Sequence, residues 1–249
     1  MRRTGGRGGF DEQVGMIAAL GEPIRRALYR YVVGQPEPVG REQAAAAVGV
    51  ARHVAKFHLD KLEADGLLDT EYSRPPGRRG PGAGRPAKRY RRSLREVSVS
   101  LPGRRYDLAG RLMAHAIATA SESGRPVVDA LHEAATVEGR ALGDQARARL
   151  GADLSASARS SVVCEVLAEH GYEPRTGDGV VTLVNCPFHA LAREHPDLVC
   201  GMNLDLVRGL LQACDRSGLH ARLDPAPGRC CVTLTDGANS TRRLKASGQ

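Results

Sequence analysis

The chain has no tryptophan, and aromatic residues make up only 4% of its 249 positions. Hydrophobic residues reach 41%, so a core is available, but it has to be built from leucine, valine and alanine. Alanine and leucine separated by short Gly/Pro breaks favour helices. The length suits two modest domains, or one domain with a dimerising extension. No apolar run approaches the roughly 20 residues needed to span a bilayer. The opening stretch MRRTGGRGGF has no apolar h-region, which argues against a secretory signal. Residues 1–10 and 238–249 read as disordered tails, and a cytoplasmic protein with no membrane partner is expected. In a reducing compartment its six cysteines are not expected to form structural disulfides. Clustered thiols there are more often metal ligands or redox groups.

An excess of basic over acidic residues is confined to one half. Residues 1–105 hold 21 Lys/Arg against 11 Asp/Glu, or +10; the remainder holds 15 against 17, or −2, which sums to the net +8. A basic N-terminal half beside a near-neutral C-terminal half suggests that one part binds a polyanion and the other does not.

PIRRALYRYVV (Pro23–Val33) sets Ile24, Leu28, Tyr31 and Val32 on one helical face, with Pro23 at a first-turn position. After the break GQPEPVG comes REQAAAAV, a short helix, then a turn at Gly49–Val50. A second helix begins near Ala51. Two helices joined by a short glycine-containing turn form the helix-turn-helix pattern. Ala55, His58, Leu59 and Leu62 follow the spacing i, i+3, i+4, i+7 and are assigned to the core, His58 as a core histidine. Arg52, His53, Lys56, Phe57 and Asp60 fall opposite. Basic residues near the start of a recognition helix reach base edges, and an exposed Phe57 is placed to touch a thymine methyl. An ordinary solvated helix face is the plainer alternative.

GLLDTEYS (Gly66–Ser73) and AKRYRRS (Ala87–Ser93) read as two strands around a Gly/Pro/Arg loop. Arg74–Arg92 holds eight basic residues and no acidic one. After a helix-turn-helix, such a hairpin reads as a wing set against phosphates or the minor groove. The candidate DNA-contacting set is Arg41, Arg52, His53, Lys56, Phe57, Lys61, Arg78, Arg79, Arg85, Lys88 and Arg89, within a winged-helix domain at 11–100. REQAAAAVGVARHVAKFHLDKLEADGLL followed by GPGAGRPAKRYR resembles the bacterial winged-helix regulators of the ArsR/DeoR-like group, over roughly Leu20–Ser93.

RRYDLAGRLMAHAIATASES (Arg104–Ser123) and PVVDALHEAATVEGRALGDQARARL (Pro126–Leu150) are helical. Residues 101–152 are expected to pair two protomers, which would set two recognition helices about 34 Å apart, one turn of DNA. His115 and His132 are read as surface or interface residues.

Residues 153–237 read as a small α+β domain with an antiparallel sheet, so the whole chain is expected to be α+β and mainly helical. Cys186 precedes Pro187 in a turn after a strand. Cys200 is placed in the first turn of a helix from about Asp197, where the helix N-terminus stabilises a thiolate. Cys230 and Cys231 are placed at the start of the last strand, where alternation lets only one of them reach a shared site. On one continuous helix Cys200 and Cys214 would stand about 21 Å apart, too far to share an ion. Cys214, like Cys164, is therefore read as a small buried hydrophobe. The candidate ligands are Cys186, Cys200 and one of Cys230 and Cys231, with His189 or His195 in a fourth position. They would hold Zn²⁺ or an iron–sulfur cluster, although no CxxC knuckle is present. Unligated thiols in a core are the plainer alternative.

NCPFHALAREHPDLVC, followed about thirty residues later by CC, resembles the C-terminal sensor domain of the repressors of iron–sulfur cluster assembly operons. That resemblance implies a cluster held by Cys186, Cys200 and Cys230 or Cys231, whose loss relieves repression at an operator. Structural zinc and a small-molecule sensor are the alternatives. A Cys186/His189 enzyme lacks any orienting carboxylate or oxyanion site in the sequence, so no enzymatic activity is expected.

Overall fold

A helix, α1 (Phe10–Ala19), begins at the edge of the stretch expected as a tail. The computed structural model describes residues 9–73, 86–150, 155–177, 179–214 and 218–236. Residues 1–8 and 238–249 of the two expected tails lie outside them. The chain is α+β and divides into two units, Met1–Val99 and Ser100–Gln249.

In the first unit, α2 (Pro23–Val33) starts where the sequence places it. Glu22 caps it, its carboxylate accepting the backbone N–H groups of Ile24 and Arg25. A two-residue strand, β1 (Val39–Gly40), leads into α3 (Arg41–Val48). That helix stops at Gly49, whose φ of 74° is the left-handed conformation a C-cap needs. The next helix, α4 (Arg52–Ala64), sets Ala55, Leu59 and Leu62 against Leu28 and Val32, all at most 1% exposed. Strands β2 (Leu68–Ser73) and β3 (Ala87–Arg92) pair antiparallel from Leu68↔Arg92 to Ser73↔Ala87, and β1 joins the free edge of β3. The connection between β2 and β3 lies outside the described residues, and with it Arg78, Arg79 and Arg85.

The second unit runs α5 (Tyr106–Ser123), α6 (Val127–Arg149), α7 (Ala156–Glu169), β4 (Pro174–Gly177), β5 (Val180–Leu183), α8 (His189–Glu194), α9 (Pro196–Ala213), β6 (Leu219–Leu223) and β7 (Val232–Asp236). The four strands form an antiparallel sheet in the order β4-β5-β7-β6. The sequence separates residues 101–152 and 153–237 into dimerisation and sensor parts; in the structure they share one core. Leu131, Ala135 and Leu142 of α6 join Leu206 and Leu210 of α9, along with Val181, Leu183, Val232 and Leu234 of the sheet. Glycine permits the α6–α9 approach: a Cβ at Gly139 would collide with the Leu206 carbonyl, at Gly143 with that of Leu210, and at Gly209 with that of Thr136. No helix among the described residues is long and apolar enough to cross a membrane.

Candidate functional site

Two sites separate, one in each unit. On α4, Arg52, His53, Lys56 and Phe57 are all exposed, Phe57 at 65%. These positions lie on the solvent side because Ala55, Leu59 and Leu62 take the core side at helical spacing. His58 sits between the two faces; its Nδ1 lies 3.5 Å from Glu22 Oε2 with the ring mostly buried. Arg52 pairs with Glu42 of α3 at 2.6 Å in solvent, and the exposed Lys61 pairs with the mostly buried carboxylate of Asp65 at 2.6 Å. Exposed pairs of this kind are weak, about 0–1 kcal/mol, and open readily for another anion.

Lys88 does not belong with them. Its side chain is only 16% exposed and its ammonium reaches Asp60 Oδ1 at 2.9 Å and the Glu63 carboxylate. Although burial disfavours its charge, the hydrogen bonds to Glu63 and Asp60 prevail and raise its pKa above the lysine range. Tyr90 Oη donates to the same Asp60 oxygen at 2.6 Å, and Thr70 Oγ1 donates to Glu63 at 2.7 Å. Lys88 therefore braces β3 against α4 and is withdrawn from the surface. Arg89 is also partly engaged, donating to the Pro38 carbonyl at 3.2 Å. Arg41, at the start of α3, is half-buried.

In the second unit four thiols converge. Cys186 follows β5, Cys200 lies on α9, and Cys230 and Cys231 occupy the turn before β7. Cys186, Cys230, Cys231 and Cys200 influence one another's ionisation in that order. Two positions differ from expectation. Cys230 and Cys231 precede the strand, so strand alternation does not apply to them, and both thiols reach the set. Cys200 is the fifth residue of α9, in its second turn.

The Cys230 sulfur is the acceptor of the set. It accepts hydrogen bonds from the Asn203 amide at 3.2 Å and from the Val232 N–H at 3.5 Å, with the Cys186 and Cys231 thiols beside it. Those donors outweigh burial and hold its pKa far below the thiol range. The neighbouring Cys230, together with burial, pushes Cys186 and Cys231 up. The surroundings thus favour a thiolate most at Cys230. Cys186 and Cys230 form an inner pair, 7% and 1% exposed; Cys200 and Cys231 form an outer, half-buried pair.

Around the sulfurs stands a polar brace that sequence reasoning missed. Asn203, 1% exposed, donates to Cys230 and accepts from the Tyr172 hydroxyl, itself 2% exposed. Asn185 donates to the carbonyls of Gly103 and Gly171, and Arg104 donates to Asn185 and to the Cys186 carbonyl at 3.1 Å. These bonds tie the Cys186 turn to the segment before α5. Asn203 was discoverable: it lies three residues beyond Cys200, on the same face of a helix.

His189 and His195 are exposed, at the start and C-terminal cap of α8; the hydrogen bonds on the Cys230 sulfur come from backbone and Asn203. Cys214 is fully buried and donates to the Gly143 carbonyl at 3.4 Å, its pKa pushed up to about 11 by burial. Cys164 is half-buried and also raised by burial. Among the described residues no group of three or more His, Cys, Asp or Glu side chains is arrayed around a common centre as a preformed metal site. No family model, curated protein or solved structure matches the chain.

Proposed function

We propose that this protein is a DNA-binding transcriptional regulator, acting as a repressor, whose grip on its operator depends on a metal centre in the second unit. The observation that carries the reading is the outer face of α4. Arg52, His53, Lys56 and Phe57 project from a helix that follows a second helix across a glycine turn, beside an antiparallel hairpin. That order of elements is the one a winged helix uses, with α4 as the recognition helix in the major groove. Lys56 and Arg52 meet phosphates or base edges, while Phe57 offers an apolar contact. Two protomers would place two such helices one DNA turn apart. The outer faces of α5 and α6, where Ile117, Val128 and Val137 are exposed, are the surface proposed for pairing.

The donor chemistry of the second site fits a soft ion or an iron–sulfur cluster, since all four candidate ligands are sulfur and the surroundings of one favour its thiolate. Binding requires the four sulfurs to reach shared coordination. Cys186, Cys200, Cys230 and Cys231 would hold the group, which would clamp the Cys186 turn, α9 and the turn before β7 together. Asn203 orients Cys230, and Arg104 holds the Cys186 turn. A tenfold change in operator affinity needs only about 1.4 kcal/mol of coupling. A structural zinc is the second reading, favoured by four thiols, the number of protein ligands such a site takes, without either histidine.

Anaerobic purification with iron, zinc and sulfide analysis, followed by mobility shift on the DNA upstream of the protein's own gene, tests the reading. The Cys186→Ser variant is expected to lose metal and to weaken the shift. If both stay unchanged, the sensor mechanism is wrong; if the wild-type chain shifts no DNA, the regulator reading falls with it.

A further inference from the structure

Three cations border one cavity in the first unit, and only two of them have an acid. The cavity, of about 470 Å³, opens between α1, α2 and α4, a size within the roughly 300–1,000 Å³ that small-molecule sites occupy. Part of its lining is apolar: Met16 and Ala19 of α1, 4% and 7% exposed, and Ala64 of α4. Its charged lining sets Arg25, Lys61 and Arg95 against Glu12 and Asp65. Lys61 pairs with Asp65 at 2.6 Å, and Arg95 Nη2 with Glu12 Oε1 at 2.7 Å. Arg25 forms no ion pair among the described residues, and its Nε is buried without a hydrogen-bond partner. We propose that this cavity binds a small organic oxyanion, a carboxylate or phosphate ester on an apolar body, with Arg25 as its anchor.

A buried donor without an acceptor is rare, because an unmade hydrogen bond leaves the full desolvation cost of the group uncompensated. The acid nearest in sequence does not answer it. Glu22 accepts the backbone N–H groups of Ile24 and of Arg25 itself as the cap of α2. A guanidinium fork matches two oxygens of a carboxylate or phosphate at once, a match that a neutral amide or a cation does not offer. The unpaired positive charge calls for one negative charge, and the methionine and alanines call for apolar surface behind it. Glycine keeps the lining in place. Gly66 has a φ of 74°, and a Cβ there would fall 2.8 Å from Arg95 Nη1 and 3.0 Å from Met16 Cε, so its bare backbone lets both side chains lie where they border the cavity.

The site itself rests on this geometry. Its consequence for DNA rests on the regulator reading above. The ligand would meet α1 and the end of α4, the helix whose start carries Arg52 and Lys56. An occupant that fits one placement of α4 better than another shifts the population toward that placement.

The test is titration calorimetry of the full chain with benzoate, its neutral isostere benzamide, and inorganic phosphate, each taken into the millimolar range. The expected result is one benzoate per chain, bound at least about tenfold more tightly than benzamide. Arg25→Gln is expected to weaken benzoate by about tenfold or more. Gly15 borders the cavity, and a Cβ there meets nothing within 4 Å. Gly15→Leu should therefore fill the space and abolish binding without lowering the unfolding temperature, since leucine suits a helix better than glycine. That variant keeps the test decisive if Arg25→Gln does not fold. Phosphate that displaces benzoate assigns the site to phosphate esters; phosphate that leaves benzoate in place assigns it to carboxylates. Failure to bind benzoate, equal binding of benzoate and benzamide, or benzoate binding unchanged in Gly15→Leu overturns the proposal. Benzoate binding by a chain that shifts no DNA ends the regulator reading and leaves the site standing. A chain that shifts DNA and does not bind benzoate ends this inference alone.

Discussion

In the first unit the solvent-facing residues of the candidate site fall within six consecutive positions of one helix, Arg52 to Phe57. In the second, the four sulfurs are gathered from positions 186, 200, 230 and 231, on two turns and a helix. The first arrangement needs only α4 to form and to turn its apolar stripe inward. The second needs the whole core, because α9, β5 and the turn before β7 reach one another only through packing. A local site is therefore robust to distant substitution, and a dispersed site is as fragile as the least tolerant contact in its core.

That contrast is broken most forcefully at the α6–α9 crossing. Gly139→Leu drives a side chain into the Leu206 carbonyl and is expected to cost about 3 kcal/mol or more. Calorimetry should show the second unit's transition falling sharply while the first unit's holds. A single unshifted transition would mean that the crossing tolerates bulk and that the dispersed site is not fragile in this way. Next in size is Asn203→Ala, which removes a donor from Cys230. A hydrogen bond to a charged sulfur is worth about 1.5–3 kcal/mol. The sign follows from the lowered folded-state pKa of Cys230. Its contribution is full above the unfolded thiol value, about 8.5, and is lost as pH falls through the folded value. The variant should shrink that contribution, and ultraviolet thiolate absorbance should vanish at a higher pH than in the wild type.

Within the first unit, Lys88→Met strands Asp60 and Glu63 beside Tyr90 and is expected to lower stability by about 1–2 kcal/mol, read as a shift in urea midpoint. It should leave the salt dependence of DNA binding untouched. Lys56→Ala and Arg52→Ala should do the reverse. Stability should stay within about 0.5 kcal/mol, while the slope of log affinity against log salt falls by about 0.9 for each phosphate no longer neutralised. Equal salt slopes for Lys56→Ala and Lys88→Met would erase the distinction between a surface cation and a brace. The smallest effect belongs to His170, whose pKa is lowered by burial despite its contact with the Val166 carbonyl at 2.8 Å. Below about pH 6.5 the unfolded chain takes up a proton that the folded chain resists, so stability falls with pH there. His170→Gln should flatten that slope in denaturant titrations between pH 7 and 5.

The helices α2, α3 and α4 and the strands β2 and β3 are legible because each carries its own periodicity and its own stop: Glu22–Pro23 before α2, Gly49 after α3, the alternation across the hairpin. Helix α1 is not, since its ten residues adjoin a Gly/Arg-rich stretch that reads as a tail. The convergence of Cys186, Cys200 and the Cys230/Cys231 doublet is legible in outline from their spacing and from turn chemistry. The true position of Cys230 and Cys231 cannot be had from local pattern. Val232–Asp236 continues the apolar run without a break in sequence, and only pairing with β5 and β6 sets where the strand starts. Helix α6 reads as a surface for a second protomer because its apolar residues are conspicuous, whereas its glycines have no side chain to mark what they touch. Gly139 and Gly143 are what turn that face onto α9.

Composition, charge division and helical repeat by themselves determined two dissimilar halves, a helix pair with a basic outer face, and a second half that holds all six cysteines. These are properties of neighbouring residues, and neighbouring residues suffice to express them. Tertiary structure alone decided that Lys88 turns inward to two carboxylates, that both members of the cysteine doublet join the set, and that Asn203, held by Tyr172, donates to Cys230. Each of those outcomes depends on the energy of burying a polar group beside a partner distant in sequence, and that partner exists only once the core has closed.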